Sequence, residues 1–83
     1  MEVRFSKTAM RVLLRSNKRV LIRQKIDELA AEPLSQSVNV IRLQGRSEFR
    51  LRIQDWRVIF RIENNILLID DVAPRSSAYE VTR

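Results

Sequence analysis

The chain has 83 residues and a net charge of +6, so we expect a single domain over residues 1–83, with one modest core and an acidic partner. It contains no cysteine and no histidine, which excludes a disulfide framework and the common metal-ligand sets. No apolar run approaches the ~20 residues that cross a bilayer, and the N-terminus lacks the apolar stretch of a signal peptide, so we expect a cytoplasmic protein without a membrane partner.

The first predicted elements are a strand and a helix. The stretch "EVRF" alternates polar and apolar residues, as a half-buried strand does. Ser6 then fits the N-cap of a helix from Lys7 to about Arg15, whose apolar face comprises Ala9, Val12 and Leu13. Another face carries a basic stripe at a spacing of four residues: Lys7, Arg11 and Arg15. Like charges at this spacing repel one another, which hints at an anionic partner, although a solvated helix face is the more common cause of such a stripe.

A second helix and a polar segment follow. Ser16 and Asn17 interrupt the first helical pattern and are suited to cap the second helix. Its apolar face follows the i, i+4, i+7, i+8 rule with Ile22, Ile26, Leu29 and Ala30. Pro33 ends this helix because the residue before a proline avoids helical geometry, and we predict that "PLSQSVN" is a connection. The two helices therefore form a hairpin.

The second half of the chain predicts strands joined by tight turns. The strands are "VIRL", "FRLRI", "WRVIF" and "ILLIDDV". The turns are "QGRS", which holds the only glycine, the pair Gln54-Asp55, and the pair Asn64-Asn65, which tolerates positive φ angles. We summarise the fold as α+β in the order β-α-α-β-β-β, with the helical hairpin packed on one face of a small antiparallel sheet.

The stretch "FRLRIQDWRVIF" predicts the register of one hairpin. With Gln54-Asp55 as a two-residue loop, Ile53 lies opposite Trp56 and Arg52 opposite Arg57. One face then points to the helices and carries Phe49, Leu51, Val58 and Phe60. The other face, predicted to be solvated, carries Arg50, Arg52 and Arg57. Because like charges directly across a ladder are destabilising by roughly 0.2–1 kcal/mol, the cluster favours anion binding over simple solvation of the surface.

Asp70 and Asp71 lie in the last predicted strand. Alternation places one of them on the arginine face and the other toward the helices, unless a bulge intervenes. A carboxylate on the arginine face would orient a guanidinium or act as a base. A charge pair near the end of an edge strand is the more common explanation of such a dipeptide.

In this order the motifs resemble the RelE/ParE superfamily of bacterial toxins over essentially the whole chain. The resemblance rests on "VRFSKTA", Leu43-x-Gly45, "FRLRI", "WRVIF" and the spacing from Arg75 to Tyr79. It implies a microbial-RNase-type fold and, in the RelE-like branch, a toxin that enters the ribosomal A site and cuts messenger RNA there without metal or cofactor. It also implies two partners, the ribosome with its message and a cognate acidic antitoxin that joins the toxin in a hetero-oligomer.

The resemblance assigns roles to particular residues. The expected catalytic residues are Arg50, Arg52, Arg57, Arg75 and Tyr79. The arginines would stabilise the charge on phosphorus, and Tyr79 would transfer a proton, stack on a base, or simply pack its ring on the sheet. The expected RNA-binding residues are Lys7, Arg11, Arg15, Arg46 and Arg61. The most active members of the family tend to have a lysine in the central strand or a histidine near the late arginine. This chain has neither, so its general base is not assigned.

Two alternatives on the same fold remain open. The ParE-like branch inhibits DNA gyrase by binding it and cuts nothing, but its helices are usually longer than Lys7–Glu32 permits. A catalytically weak member would instead bind RNA or the ribosome through the basic stripe of the first helix. We expect the antitoxin to cover the face of Arg50, Arg52 and Arg57 together with whichever edge strand is open.

Overall fold

The computed structural model describes residues 1–75, in which two α-helices and a 3₁₀ helix pack with a five-stranded sheet. In chain order the elements are β1 (Glu2–Phe5), α1 (Lys7–Arg15), α2 (Arg19–Ala31), the 3₁₀ helix (Pro33–Asn39), β2 (Val40–Arg42), β3 (Phe49–Ile53), β4 (Trp56–Glu63) and β5 (Ile66–Pro74). The predicted α+β class is confirmed. The order β-α-α-β-β-β is one strand too short, and the segment predicted as a plain connection is the 3₁₀ helix.

The sheet is mixed, so the prediction of a purely antiparallel sheet was wrong. Its strand order is β1-β5-β4-β3-β2, with β1 parallel to β5 and every other pair antiparallel. Tight turns can join only antiparallel neighbours. The parallel pair is possible because the helices and strands β2, β3 and β4 separate β1 from β5 along the chain.

The start of α1 confirms the predicted cap, whereas the start of α2 does not. Ser6 Oγ accepts a hydrogen bond from the backbone N–H of Ala9 at 3.0 Å and donates one to the carbonyl of Asp70 at 2.9 Å. At α2 the N-cap position is Lys18, which makes no side-chain capping bond. Ser16 Oγ accepts from the N–H of Lys18 at 2.9 Å, so this serine closes the turn between the helices instead of capping α2.

The core lies between the two α-helices and one face of the sheet. The predicted apolar residues of α2 are all buried, and so are Ala9 and Leu13 of α1. The largest fully buried side chains are Ile22, Ile26, Leu51, Val58, Leu67, Ile69 and Val72. Burial of each such side chain contributes about 1.5–3 kcal/mol to the hydrophobic driving force, so this single layer holds the sheet in place.

The tight turns form where the sequence predicts them. Gln54, Asn64 and Asn65 have φ angles of 52°, 52° and 61°, and Gly45 has a φ of 73°. In the β3–β4 hairpin Ile53 pairs with Trp56 and Arg52 with Arg57, which confirms the predicted register. Within residues 1–75, no helix is both long enough and apolar enough to span a bilayer.

Candidate anion-binding site

The β3–β4 hairpin places its arginines on the sheet face that points away from α1 and α2. Arg52 is paired with Arg57 across the ladder, and Arg50 is paired with Ile59. Residues paired across a ladder share a face, and residues two apart along a strand share it too. The structure therefore puts Arg50, Arg52 and Arg57 on one face, as the alternation predicts.

Arg57 is buried, so the prediction that it lies on a solvated face was wrong. Its exposed fraction is 4%, and its neighbours on the same face, Ile59 and Ala73, are 6% and 8% exposed. The physical reason is its place in β4, the middle strand of the five, where Arg52 of β3 and Ala73 of β5 flank it on either side. A guanidinium stays protonated even when it is buried, and the low dielectric there strengthens its attraction for an anion.

Three arginines meet in one pocket at the hairpin end of this face. The pocket has a volume of about 350 Å³ and is lined by Asn39, Arg52, Gln54, Asp55, Arg57 and Arg75. Arg75 is held beside the hairpin because its backbone N–H donates to the carbonyl of Asp55 at 2.7 Å. We call this cavity the arginine pocket.

Of the remaining predicted catalytic residues, the structure describes Arg50. Arg50 is half-buried on the same face but does not line the arginine pocket. Tyr79 lies outside the described residues. The structure thus brings together Arg52, Arg57 and Arg75, which come from β3, β4 and the residue after β5.

A β-bulge fixes the positions of the two aspartates. Ile59 pairs with Asp71 and Phe60 with Ile69, so Asp70 is the extra residue of β5 and Asp71 lies on the arginine face. Burial raises the pKa of the Asp71 carboxyl, as does the charge of Asp70, while a hydrogen bond from the backbone of Val72 lowers it. Asp70 Oδ2 accepts from Arg61 Nε at 2.9 Å. The bulge, which the alternation alone does not reveal, therefore brings Asp70 to an arginine.

The predicted RNA-binding residues fall into two groups. Arg61 pairs with Asp70 and Glu63, whose carboxylates raise the pKa of its guanidinium, and Arg46 pairs with Glu48. The other group forms an exposed stripe on α1, and none of its members pairs with a carboxylate in the part of the chain that is described: Lys7, Arg11 and Arg15. The stripe is therefore the better candidate for contact with phosphates.

Sequence reasoning missed two amides that line the arginine pocket, Asn39 and Gln54. The hairpin register already placed Gln54 beside Arg52, so a signal for this residue was present. Asn39 ends the 3₁₀ helix, which the sequence analysis treated as a connection, so nothing placed its side chain near the arginines.

A larger groove on the helical hairpin lacks this chemistry. It has a volume of about 690 Å³ and is bordered by exposed apolar side chains such as Leu14 and Val20. Its charged residues include Arg23 and Asp27, which pair with each other at 3.0 Å. Within residues 1–75 no three acidic side chains come together as a metal site.

The arginine pocket is suited to hold a phosphate group. A guanidinium presents a planar fork of donors that binds two oxygens at once, and three of them stabilise additional negative charge on phosphorus. Because an arginine does not release its proton near neutral pH, none of the three can serve as a general base.

The comparisons with known proteins agree with this fold. The sequence profile of the ParE toxin of type II toxin–antitoxin systems (parDE) matches residues 3–79. A chain of the archaeal RelE–RelB complex from Pyrococcus horikoshii OT3 superposes with a TM-score of 0.75 at 26% identity, over 89% of this chain and 93% of that chain. The toxin–antitoxin complex RelBE2 from Mycobacterium tuberculosis gives a TM-score of 0.60 at 28% identity, over 89% and 96% of the two chains.

A more distant structure shares the fold alone. A chain of the intact RelBE complex from E. coli gives a TM-score of 0.71 at 15% identity, over 88% of this chain and 94% of that chain. A sequence comparison with curated proteins found no match. Since the family profile spans nearly all of the chain and the sheet and helices superpose on RelE structures, this chain belongs to the ParE toxin family of type II toxin–antitoxin systems, within the RelE/ParE superfamily.

Proposed function

We propose that this toxin is a ribosome-dependent endoribonuclease that cuts messenger RNA in the ribosomal A site. The observation that carries the proposal is the convergence of Arg52, Arg57 and Arg75 on one polar pocket. The two structures at 26% and 28% identity, both toxin–antitoxin complexes with Rel in their names, support the same branch of the superfamily.

The proposed reaction is a transesterification within the RNA. The ribose 2′-oxygen attacks the adjacent phosphorus, a new P–O2′ bond forms, and the bond from phosphorus to the 5′-oxygen of the next nucleotide breaks. The proton of the 2′-hydroxyl goes to a base, and the leaving 5′-oxygen receives a proton from an acid. The products are a 2′,3′-cyclic phosphate and a free 5′-hydroxyl, and no metal or cofactor takes part.

In this scheme the arginines stabilise the pentacoordinate phosphorus. Arg57 is the fixed donor because it is buried in the central strand, whereas Arg52 and Arg75 are exposed and close on the phosphate from either side. Preorganised donors of this kind typically contribute about 10²- to 10³-fold each to the rate. Arg50 adds positive charge one step further along the same face.

The proton transfers need a group other than arginine. We assign a proton transfer to Tyr79, and its ring would alternatively stack on a base that the ribosome presents unpaired. The ribosome itself is a second source of a base. This division of labour explains why the toxin would act on a message only in the A site.

The basic stripe of α1 is proposed to contact the ribosome. Its side chains are exposed on a helix that packs against β5, so they project from the body of the domain: Lys7, Arg11 and Arg15. Ribosomal RNA offers a dense array of phosphates to such a stripe, and the contact should weaken with salt.

We further propose that an acidic antitoxin covers the arginine face in the cytoplasm. The structural neighbours are complexes with an antitoxin such as RelB. Strand β2 is an edge of the sheet and flanks β3, which carries Arg50 and Arg52. An acidic segment paired along β2 would neutralise those charges and add backbone hydrogen bonds in one interface.

Inhibition of DNA gyrase is the second candidate, because the matching family profile is that of ParE toxins. The helices α1 and α2 have 9 and 13 residues, short for the helical extensions expected of gyrase-binding members. A supercoiling assay with purified gyrase separates the two functions.

The test of the proposal uses ribosomes programmed with a defined message. We expect cuts within the A-site codon, mapped by primer extension, and almost no cutting of the same RNA without ribosomes. Rapid cleavage of naked RNA would contradict ribosome dependence. An intact message together with inhibited supercoiling would replace the proposal by the gyrase function.

A further inference from the structure

A second, smaller pocket lies beside the arginine pocket. It has a volume of about 140 Å³ and lies between α2, the 3₁₀ helix and the β3–β4 turn. Three residues line both pockets, Asn39, Arg52 and Gln54. The two pockets are therefore neighbours, and a ligand whose phosphate lies among the arginines has the second pocket within reach.

The second pocket combines apolar walls with amide groups. Leu21 and Ile53 supply hydrocarbon surface, and Lys25 and Arg52 add positive charge. The amides come from Gln36, Asn39 and Gln54. Apolar and aromatic surfaces suit the flat faces of a nucleobase. An amide presents a donor next to an acceptor, which matches the paired donor and acceptor on the edge of a base such as adenine.

Gln36 is held in place by a carboxylate. It is buried, with an exposed fraction of 7%, whereas its six neighbours in the 3₁₀ helix are exposed. Its Nε2 donates to Glu28 Oε1 at 2.9 Å, and the same oxygen accepts from Lys25 Nζ at 3.4 Å. Burial of a glutamine costs more free energy than burial of an apolar side chain unless the amide forms hydrogen bonds. The bond to Glu28 uses one of the two N–H groups of the amide and orients its oxygen as an acceptor for a ligand.

We propose that the second pocket binds one purine base of the RNA whose phosphate occupies the arginine pocket. The inference rests on the proposed RNA cleavage and adds a source of nucleotide preference beside the cut. The volume admits a single base, and an amide makes two hydrogen bonds to adjacent groups on a purine edge. The toxin would then prefer a purine next to the scissile phosphate even before the ribosome selects a codon.

Small ligands test the base subsite separately from cleavage. The full chain is titrated with adenosine 5′-monophosphate, guanosine 5′-monophosphate and ribose 5-phosphate, and affinities are taken from NMR chemical shifts. We expect at least one purine nucleotide to bind about tenfold more tightly than ribose 5-phosphate, because a bidentate base contact is typically worth about that factor.

Two variants and a matched control show whether the second pocket causes the tighter binding of a purine nucleotide. Gln54→Gly removes the amide at a position whose φ of 52° glycine tolerates, and Asn39→Ala removes the exposed amide that both pockets share. Each should reduce the purine gain to about threefold or less. Asn65→Gly makes the same kind of change at the other hairpin turn, where φ is 61°, and should leave the gain unchanged.

The outcomes separate this inference from the proposed function. Equal affinity for the nucleotides and ribose 5-phosphate would overturn the base subsite and leave the phosphate site intact. A purine gain that survives both variants would also overturn it, because the base would then lie elsewhere. Failure of all three ligands to bind would overturn the base subsite and the phosphate site together.

Discussion

The two ends of the arginine face use the same side chain in different ways. At the end near the β4–β5 turn, Arg61 is matched by Asp70 and Glu63, and on the adjacent edge Arg4 pairs with Glu2. At the β3–β4 end, three arginines line one pocket with a single aspartate, Asp55. The backbone carbonyl of Asp55 accepts a hydrogen bond from the N–H of Arg75.

The difference shows that the number of arginines does not define an anion site. Surface ion pairs contribute little to stability, but they satisfy the guanidinium and reduce its attraction for a ligand. Neither Arg52 nor Arg75 pairs with a carboxylate within residues 1–75. The charge of these two arginines, unmatched by a carboxylate, lies at the hairpin end, where we place the phosphate.

Removing the buried arginine should have the largest effect. Arg57→Met keeps an unbranched apolar stem in the central strand and removes the guanidinium. We expect cleavage of a ribosome-bound message to fall about 10²- to 10³-fold. The variant should still unfold cooperatively in denaturant, because methionine keeps an apolar side chain at this buried position.

A charge-retaining variant is the control for this prediction. Arg57→Lys keeps the cation but loses the bidentate fork, so its activity should lie between those of the parent and Arg57→Met. Loss of cooperative unfolding in both variants would show that Arg57 is a structural residue and would remove it from the catalytic set.

Changing the exposed arginines of the pocket should have the next largest effect. Arg52→Ala or Arg75→Ala should lower cleavage about 10²-fold, because each removes one donor from the phosphate. Both side chains are exposed, so the free energy of unfolding should change by no more than about 0.5 kcal/mol. Activity within about twofold of the parent for both variants would contradict the three-arginine site.

The paired arginine at the other end is the matched control. Arg61→Ala removes the same side chain from the same face, but its charge is already matched by Asp70 and Glu63. We expect activity within about threefold of the parent and a slightly lower melting temperature. A loss of cleavage as large as that of Arg52→Ala would remove the distinction between the two ends.

The smallest expected effect concerns Asp71 and pH. Because burial raises the pKa of its carboxyl in the folded chain, ionisation of Asp71 opposes folding above the titration range. Asp71→Asn should therefore raise the free energy of unfolding at pH 7. The gain should shrink as pH falls and vanish below about 3.9, the ordinary pKa of aspartate, where the carboxyl is neutral in both states. Denaturant titrations of the variant and the parent across this pH range measure the difference in free energy of unfolding. An equal difference at pH 7 and at the acid end would exclude ionisation of Asp71 as its cause.

The sequence predicted the hairpin well because local rules determine it. Alternation along "FRLRI" and "WRVIF", with a two-residue loop between them, leaves one register that puts all apolar residues on the core side. The helix faces and the Ser6 cap follow from equally local patterns.

What the sequence did not reveal depends on contacts between distant elements. The parallel pairing of β1 with β5 joins residues more than 60 positions apart, as in Glu2 with Ile66. Burial of Arg57 follows from its place in the middle strand, and the bulge at Asp70 depends on how β5 pairs with β4. The 3₁₀ helix places Asn39 beside the arginine pocket, and the polar sequence of that segment has no periodicity from which the helix could be predicted.

The most direct test of the central claim follows arginine side-chain Nε–H signals by NMR while inorganic phosphate is added to the full chain. The account predicts that the signals of Arg52, Arg57 and Arg75 shift together with one dissociation constant, while those of Arg46 and Arg61 stay in place. Shifts spread evenly over all arginines, or confined to Arg11 and Arg15 of α1, would show that the hairpin end is not the phosphate site.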